Sequence, residues 1–115
     1  MMRSDKLLIV LCSKAVKEGN KKLSFRIGSR LEGMGIARIG TFADLSRQHF
    51  NSVGFQTNMI FINNCRAGCL KVLTNGFDPD RYLFFNVSQF LGSPEFDIDY
   101  YINTEIVPKI NDKWP

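Results

Sequence analysis

No stretch of this sequence stays apolar for long. The longest uninterrupted runs, Leu7 to Cys12 and Met59 to Ile62, fall far short of the roughly 20 residues a membrane-spanning helix needs, so no membrane partner is expected. The first run is also too short for a signal-peptide core, and Lys14 and Lys17 follow it where a small-residue cleavage site would stand. Cysteine is scarce. Cys12, Cys65 and Cys69 cannot all pair within one chain and lack the density of a secreted disulfide scaffold, which makes a reducing cytoplasm the expected setting. Histidine occurs once, as His49. Paired catalytic acids, a serine-histidine-acid set and a glycine-rich nucleotide loop are all missing, and Gly33-Met34-Gly35 reads as a helix stop, not a phosphate cradle. No motif names a reaction. Internal repeats, low-complexity tracts and linkers are absent as well.

What is present suits one folded domain. The chain has 115 residues, 44% of them hydrophobic and 12% aromatic, enough to bury a core without disulfides, and residues 1–115 read as a single α/β domain. The ten phenylalanines suggest a well-filled core with apolar surface to spare, and a dimer is one use for it. A net charge of +4 is spread unevenly: Lys14, Lys17, Lys21, Lys22, Arg26 and Arg30 gather early, while Asp78, Asp80, Glu95, Asp97, Asp99 and Glu105 dominate the last third. Such a basic helix would steer a small anionic ligand, or simply form a solvated outer face. Nucleic acid is not expected, because the lysines are not interleaved with aromatics and no nucleic-acid-binding motif is visible.

Along the chain, Lys6 to Leu11 reads as a buried first strand ending at Cys12 and Ser13. A loop through Gly19 leads to Asn20, a good N-cap, and Leu23, Ile27, Leu31 and Met34 form a helical stripe that Gly33 or Gly35 stops. Ile36 to Thr41 reads as an edge strand, followed by a short helix from Thr41 to His49 and a loop from Asn51 to Thr57. Met59 to Ile62 reads as a strand buried on both faces. A helix starting near Cys65 would put Cys65 and Cys69 on one face, and its dipole would favour their thiolates. Tyr82 to Val87 is a fourth strand. Pro94 or Asp97 then opens a last helix, which Pro108 should end or kink near Val107.

Strands alternating with helices predict a three-layer domain with a four-stranded parallel sheet in the order 2-1-3-4, a Rossmann- or flavodoxin-like arrangement. Strands 1 and 3 are then neighbours, and their carboxyl ends flank the switch point where open α/β sheets bind ligands. Cys12 ends one strand and Cys65 follows the other, with Ser13, Asn64 and Arg66 as candidate ligand-edge residues.

The pattern Ile62-Asn63-Asn64-Cys65-Arg66-Ala67-Gly68-Cys69 resembles the central motif of the DGC family of zinc-binding proteins, named for an Asp-Gly-Cys tripeptide that reads Asn63-Asn64-Cys65 here. Leu8 to Ser13 resembles that family's first strand, and Gly19-Asn20 with Leu23 its first helix start. The resemblance covers about the first two thirds of the chain. It implies a small α/β fold and zinc held by four cysteines, of which Cys12, Cys65 and Cys69 have counterparts; the fourth position falls near Ile39. A cysteine at a strand end also resembles the small tyrosine phosphatases and arsenate reductases, but their arginine six residues on is Glu18 here, and a carboxylate there repels phosphate.

Three readings of the cysteines stay open. Thiolates suit zinc in a tetrahedral site, with His49 as a candidate fourth ligand. Alternatively Cys12 exchanges a disulfide with Cys65 or Cys69 without any metal. Or the three are small buried hydrophobes.

Overall fold

Every residue of strand β1 (Leu7–Leu11) is buried, which explains why it shows no polar alternation. Its odd-numbered side chains Leu7, Ile9 and Leu11 face one core and Leu8 and Val10 another. The computed structural model of the protein, which describes residues 7–41, 58–66 and 68–115, adds three further strands. These are β2 (Arg38–Thr41), β3 (Asn58–Asn63) and β4 (Tyr82–Asn86). All pairings are parallel and the order is β2-β1-β3-β4, as the sequence predicts. The register sets Ile9 beside Ile60 and Val10 beside Phe61. So β3 repeats the division of β1, with Ile60 and Ile62 in the first core and Met59 and Phe61 in the second. Fully burying one such side chain contributes about 1.5–3 kcal/mol relative to leaving it exposed.

The first core is covered by helix α2 (Leu23–Gly33) and by the C-terminal helices. Leu23, Ile27 and Leu31 recur at steps of four and present one buried stripe to the sheet. The second core receives Leu70 from the short helix α3 (Cys69–Leu73), with Phe77, Tyr82 and Phe84 packed at its margin. There Lys71 Nζ stands 5.0 Å from the centre of the Phe84 ring.

Local structure departs from expectation in three places. Residues 13 to 18, read above as loop, form α1 (Ser13–Glu18), and Asn20 lies inside a 3-10 turn (Gly19–Lys21) instead of capping α2. The helix after β3 starts at Cys69, so Cys65 and Cys69 do not share a helical face. Of the two openings expected for the last helical run, Asp97 is the one used, its carboxylate accepting the Tyr100 N–H at 3.2 Å. Finally, Pro108 ends nothing. The run passes from α4 (Ile98–Tyr101) through a π-helical stretch (Ile102–Ile106) into α5 (Val107–Lys113). A proline in a regular helix clashes with the carbonyl four residues back and leaves it unbonded. The wider π turn just before Pro108 relieves both problems, and the stripe Ile102, Ile106 and Ile110 stays buried. The helix expected over residues 41–49, with His49, and the loop at 51–57 lie outside the described residues, apart from Thr41 at the end of β2.

The carboxyl end of the chain is tied to the turn before β4. Trp114 Nε1 donates to the Asp80 carbonyl at 3.0 Å and Lys113 Nζ to the Pro79 carbonyl at 2.6 Å.

Gly40 of β2 tests the packing between strands. A Cβ there would lie 2.7 Å from Leu8 Cδ1, and Leu8 is buried with little room to move. Gly40→Ala should therefore cost about 1–3 kcal/mol, read as a lower urea midpoint with an unchanged denaturant slope.

Candidate functional site

A parallel sheet leaves the backbone groups at its carboxyl edge to be satisfied by whatever follows each strand. Three asparagines do this here. Asn63, the last residue of β3, is buried, and its Nδ2 donates to the Cys65 carbonyl at 2.6 Å and to Asn86 Oδ1 at 3.2 Å. Asn86 ends β4, and its Oδ1 also accepts the Ser88 N–H at 3.1 Å. The Asn63 carbonyl accepts the Val87 N–H at 2.9 Å. Asn63 thus closes the bend after β3 in the manner of an Asx turn and ties it to the end of β4.

Asn64 points the other way. It is buried, and its Oδ1 accepts the Ser24 N–H at 2.9 Å. Lys22, at the N-cap of α2, makes no side-chain capping bond. The oxygen that caps α2 therefore comes from a residue 40 positions away in sequence. It does the job normally done by a serine, threonine or aspartate beside the helix. Next to it the Ser24 hydroxyl is fully buried and has no hydrogen-bond partner among the described residues.

The cysteines belong to this edge. Cys12 follows β1, is a half-buried free thiol, and packs against both cores. Cys65 follows β3 and is half-buried, its Sγ donating weakly to Asn63 Oδ1 across 4.0 Å. Because β1 and β3 are hydrogen-bonded neighbours, residues 53 positions apart in sequence emerge from adjacent strand ends. Cys69 begins α3, behind Gly68 at the N-cap, and its side chain lies outside the described part. A five-residue helix that starts at Cys69 has no dipole to offer Cys65, which corrects the expectation that one helix activates both sulfurs.

The other candidates divide by exposure. Arg66 is exposed and makes no ion pair among the described residues. Ser13 opens α1, its side chain likewise outside the described part. Asn64 reaches the carboxyl edge as expected, but its oxygen is spent on α2. No group of three or more histidine, cysteine, aspartate or glutamate side chains suited to a metal occurs among the described residues, which include neither His49 nor the Cys69 side chain.

No family model, curated protein or solved structure matches this chain. Its chemistry has to be argued from the edge itself. The roles of Asn63, Asn86 and Ser24 were missed in the sequence, where the only trace is a polar pair, Asn63-Asn64, directly after an apolar run.

The early basic residues are partly neutralised. Glu18 carboxylate oxygens lie 4.0 Å from Lys14 Nζ and 3.7 Å from Lys22 Nζ, and Arg30 Nε meets Asp99 Oδ1 at 2.7 Å. The hydrogen bond and charge of Asp99 raise the Arg30 pKa above its usual value. Of these partners Lys14 and Glu18 belong to α1 and Arg30 to α2, whose N-cap is Lys22. Of the described helices, none is long and apolar enough to cross a membrane.

Asn64 and Ser24 make opposite predictions. Asn64→Ala removes the cap of α2 and should cost about 1–2 kcal/mol. Ser24→Ala removes a buried hydroxyl that has no partner and should be neutral or stabilising. Urea titrations of both variants by circular dichroism check the pair.

Proposed function

We propose that this chain is a zinc-binding α/β protein whose metal is held at the carboxyl edge of the sheet by Cys12 and Cys65, with Cys69 as a third thiolate. The observation that carries the reading is the emergence of Cys12 and Cys65, both half-buried, from the ends of adjacent parallel strands. Half-burial matters: a fully enclosed thiol packs as a small hydrophobe, whereas these two remain partly accessible. The donor set fits a soft, tetrahedral ion. The resemblance to the DGC motif adds support, with three of its four cysteines present.

Bound there, zinc would supply Lewis-acid chemistry at a fourth position open to water or substrate. The chain's own residues do the positioning. Asn63 holds the bend that carries Cys65 through the Cys65 carbonyl, and Arg66, exposed beside it, offers a guanidinium for a small anionic ligand. A reducing compartment suits thiolates that must stay unoxidised.

A metal-free thiol function is favoured by the same adjacency. Cys12 and Cys65 would pass two electrons and two protons to a disulfide substrate, becoming a disulfide as the substrate becomes two thiols.

Cys12→Ser separates the two. Zinc chelation predicts that the wild-type chain, purified without a histidine tag or added metal, carries zinc by elemental analysis. The variant should then bind it at least about a hundredfold more weakly, each ligand of a structural zinc site being worth roughly 3 kcal/mol. The redox reading predicts a metal-free protein that forms a Cys12–Cys65 disulfide under mild oxidant, visible by peptide mass mapping and lost in the variant. Absence of both zinc and disulfide in the wild-type chain would remove both functions and leave the cysteines as packing residues.

A further inference from the structure

The segment after β4 builds a second feature at the sheet's carboxyl edge that involves no cysteine. Phe90-Leu91-Gly92-Ser93 is a tight turn: the Ser93 N–H donates to the Phe90 carbonyl at 3.1 Å, Leu91 has φ −63° and ψ 131°, and Gly92 has φ 80°. These are type II angles, and the third position requires a positive φ that glycine adopts without strain. A second turn follows at once, with Pro94 inside it and the Phe96 N–H donating to the Ser93 carbonyl at 3.3 Å. The two turns bring Phe90 and Phe96 into a stack with centroids 4.5 Å apart, and Tyr101 meets both rings at 5.5 and 5.3 Å.

Between this aromatic wall and the first turns of α2 lies a cavity of about 360 Å³, whose lining includes Leu23, Phe90, Leu91, Phe96 and Ile98, with Arg26 its one charged residue among the described residues. That size and makeup suit a small molecule with an apolar body. Arg26, Pro94, Phe96 and Ile98 also border a neighbouring cavity with more charged lining residues, which adds Arg30, Glu95, Asp97 and Asp99. Of these charges, Arg30 and Asp99 satisfy each other and Asp97 caps α4. Arg26 and Glu95 are left, each exposed and with no ion pair among the described residues. A single surface therefore offers an apolar recess, a free cation where the two cavities join, and a free anion beyond it.

We propose that this double cavity binds an α-amino acid with an apolar side chain, the side chain filling the recess, the carboxylate on Arg26 and the ammonium facing Glu95. The arrangement reads all three parts of the ligand, and it discriminates because losing either charge leaves one protein charge without its partner. The site is separate from the thiol function, so either can fail without the other.

The test is an NMR titration of the full-length, ¹⁵N-labelled chain with L-phenylalanine. The expected result is amide shifts confined to residues 90–98 and the first turns of α2, with 3-phenylpropanoate and phenethylamine each at least about tenfold weaker. Arg26→Gln should weaken phenylalanine binding about tenfold or more, Glu95→Gln should erase the preference for phenylalanine over 3-phenylpropanoate, and Lys109→Gln on α5 should change nothing. Arg26 and Glu95 are exposed, so these variants should fold. The proposal is overturned by an absence of shifts up to the solubility limit, by equal affinity for 3-phenylpropanoate, or by Arg26→Gln binding as tightly as the wild type.

Discussion

The parallel pairing of β1 with β3 is the constraint from which the rest of this structure follows. The chain leaves β1 toward β2 on one side, then returns past β1 to form β3 on the other. Connections from the two central strands consequently diverge, and their carboxyl ends form the switch point at which open α/β sheets bind ligands. Both strands are buried on both faces, so the pair cannot slip in register without driving apolar side chains out of one core and into the other. The position of Cys12 relative to Cys65 inherits that rigidity.

Burial on both sides also creates the problem that the asparagines solve. Where β3 stops, Asn63 and Asn64 are still buried, and enclosed backbone groups need protein partners. Asn63 bonds within the bend and across to Asn86, while Asn64 reaches over to α2. The amides take up opposite duties because successive residues at a strand end face opposite ways. One consequence reaches further: a helix that lacks its own capping side chain is anchored to the sheet by a borrowed one, so α2 is positioned by β3 as well as by its apolar stripe. Both candidate sites adjoin this link: Cys65 follows Asn64 in the chain, and Leu23, the neighbour of Ser24, lines the apolar recess.

Much of the architecture was legible from composition and spacing. Leu7 to Leu11 and Met59 to Ile62 are continuous apolar runs, which only a strand covered on both faces tolerates, and the stripe Leu23, Ile27 and Leu31 allows a helix and little else. The candidate site was less legible. Cys12 and Cys65 could be assigned to neighbouring strand ends once the sheet order was inferred. The start of α3 at Cys69 could not, because the bend before it is held by Asn63, which bonds both within the turn and across to Asn86 on the neighbouring strand. Asn20 failed as a cap for the same reason: the better acceptor for α2 lies 40 residues further on.

By itself, then, the sequence determined which segments must be buried, and through them the class of fold, the order of the strands and the edge at which chemistry is to be sought. Hydrophobic burial is additive over short windows, and a window of the sequence is enough to read it. Only the tertiary structure decided where helices begin, how Pro108 is carried inside one, which amide caps which helix, and that Arg26 borders both an apolar recess and a second cavity lined by Glu95. Those outcomes turn on hydrogen bonds and charges a few ångströms long between residues far apart in the chain. Such interactions depend on direction and distance in three dimensions, and neither quantity exists until the sheet has formed.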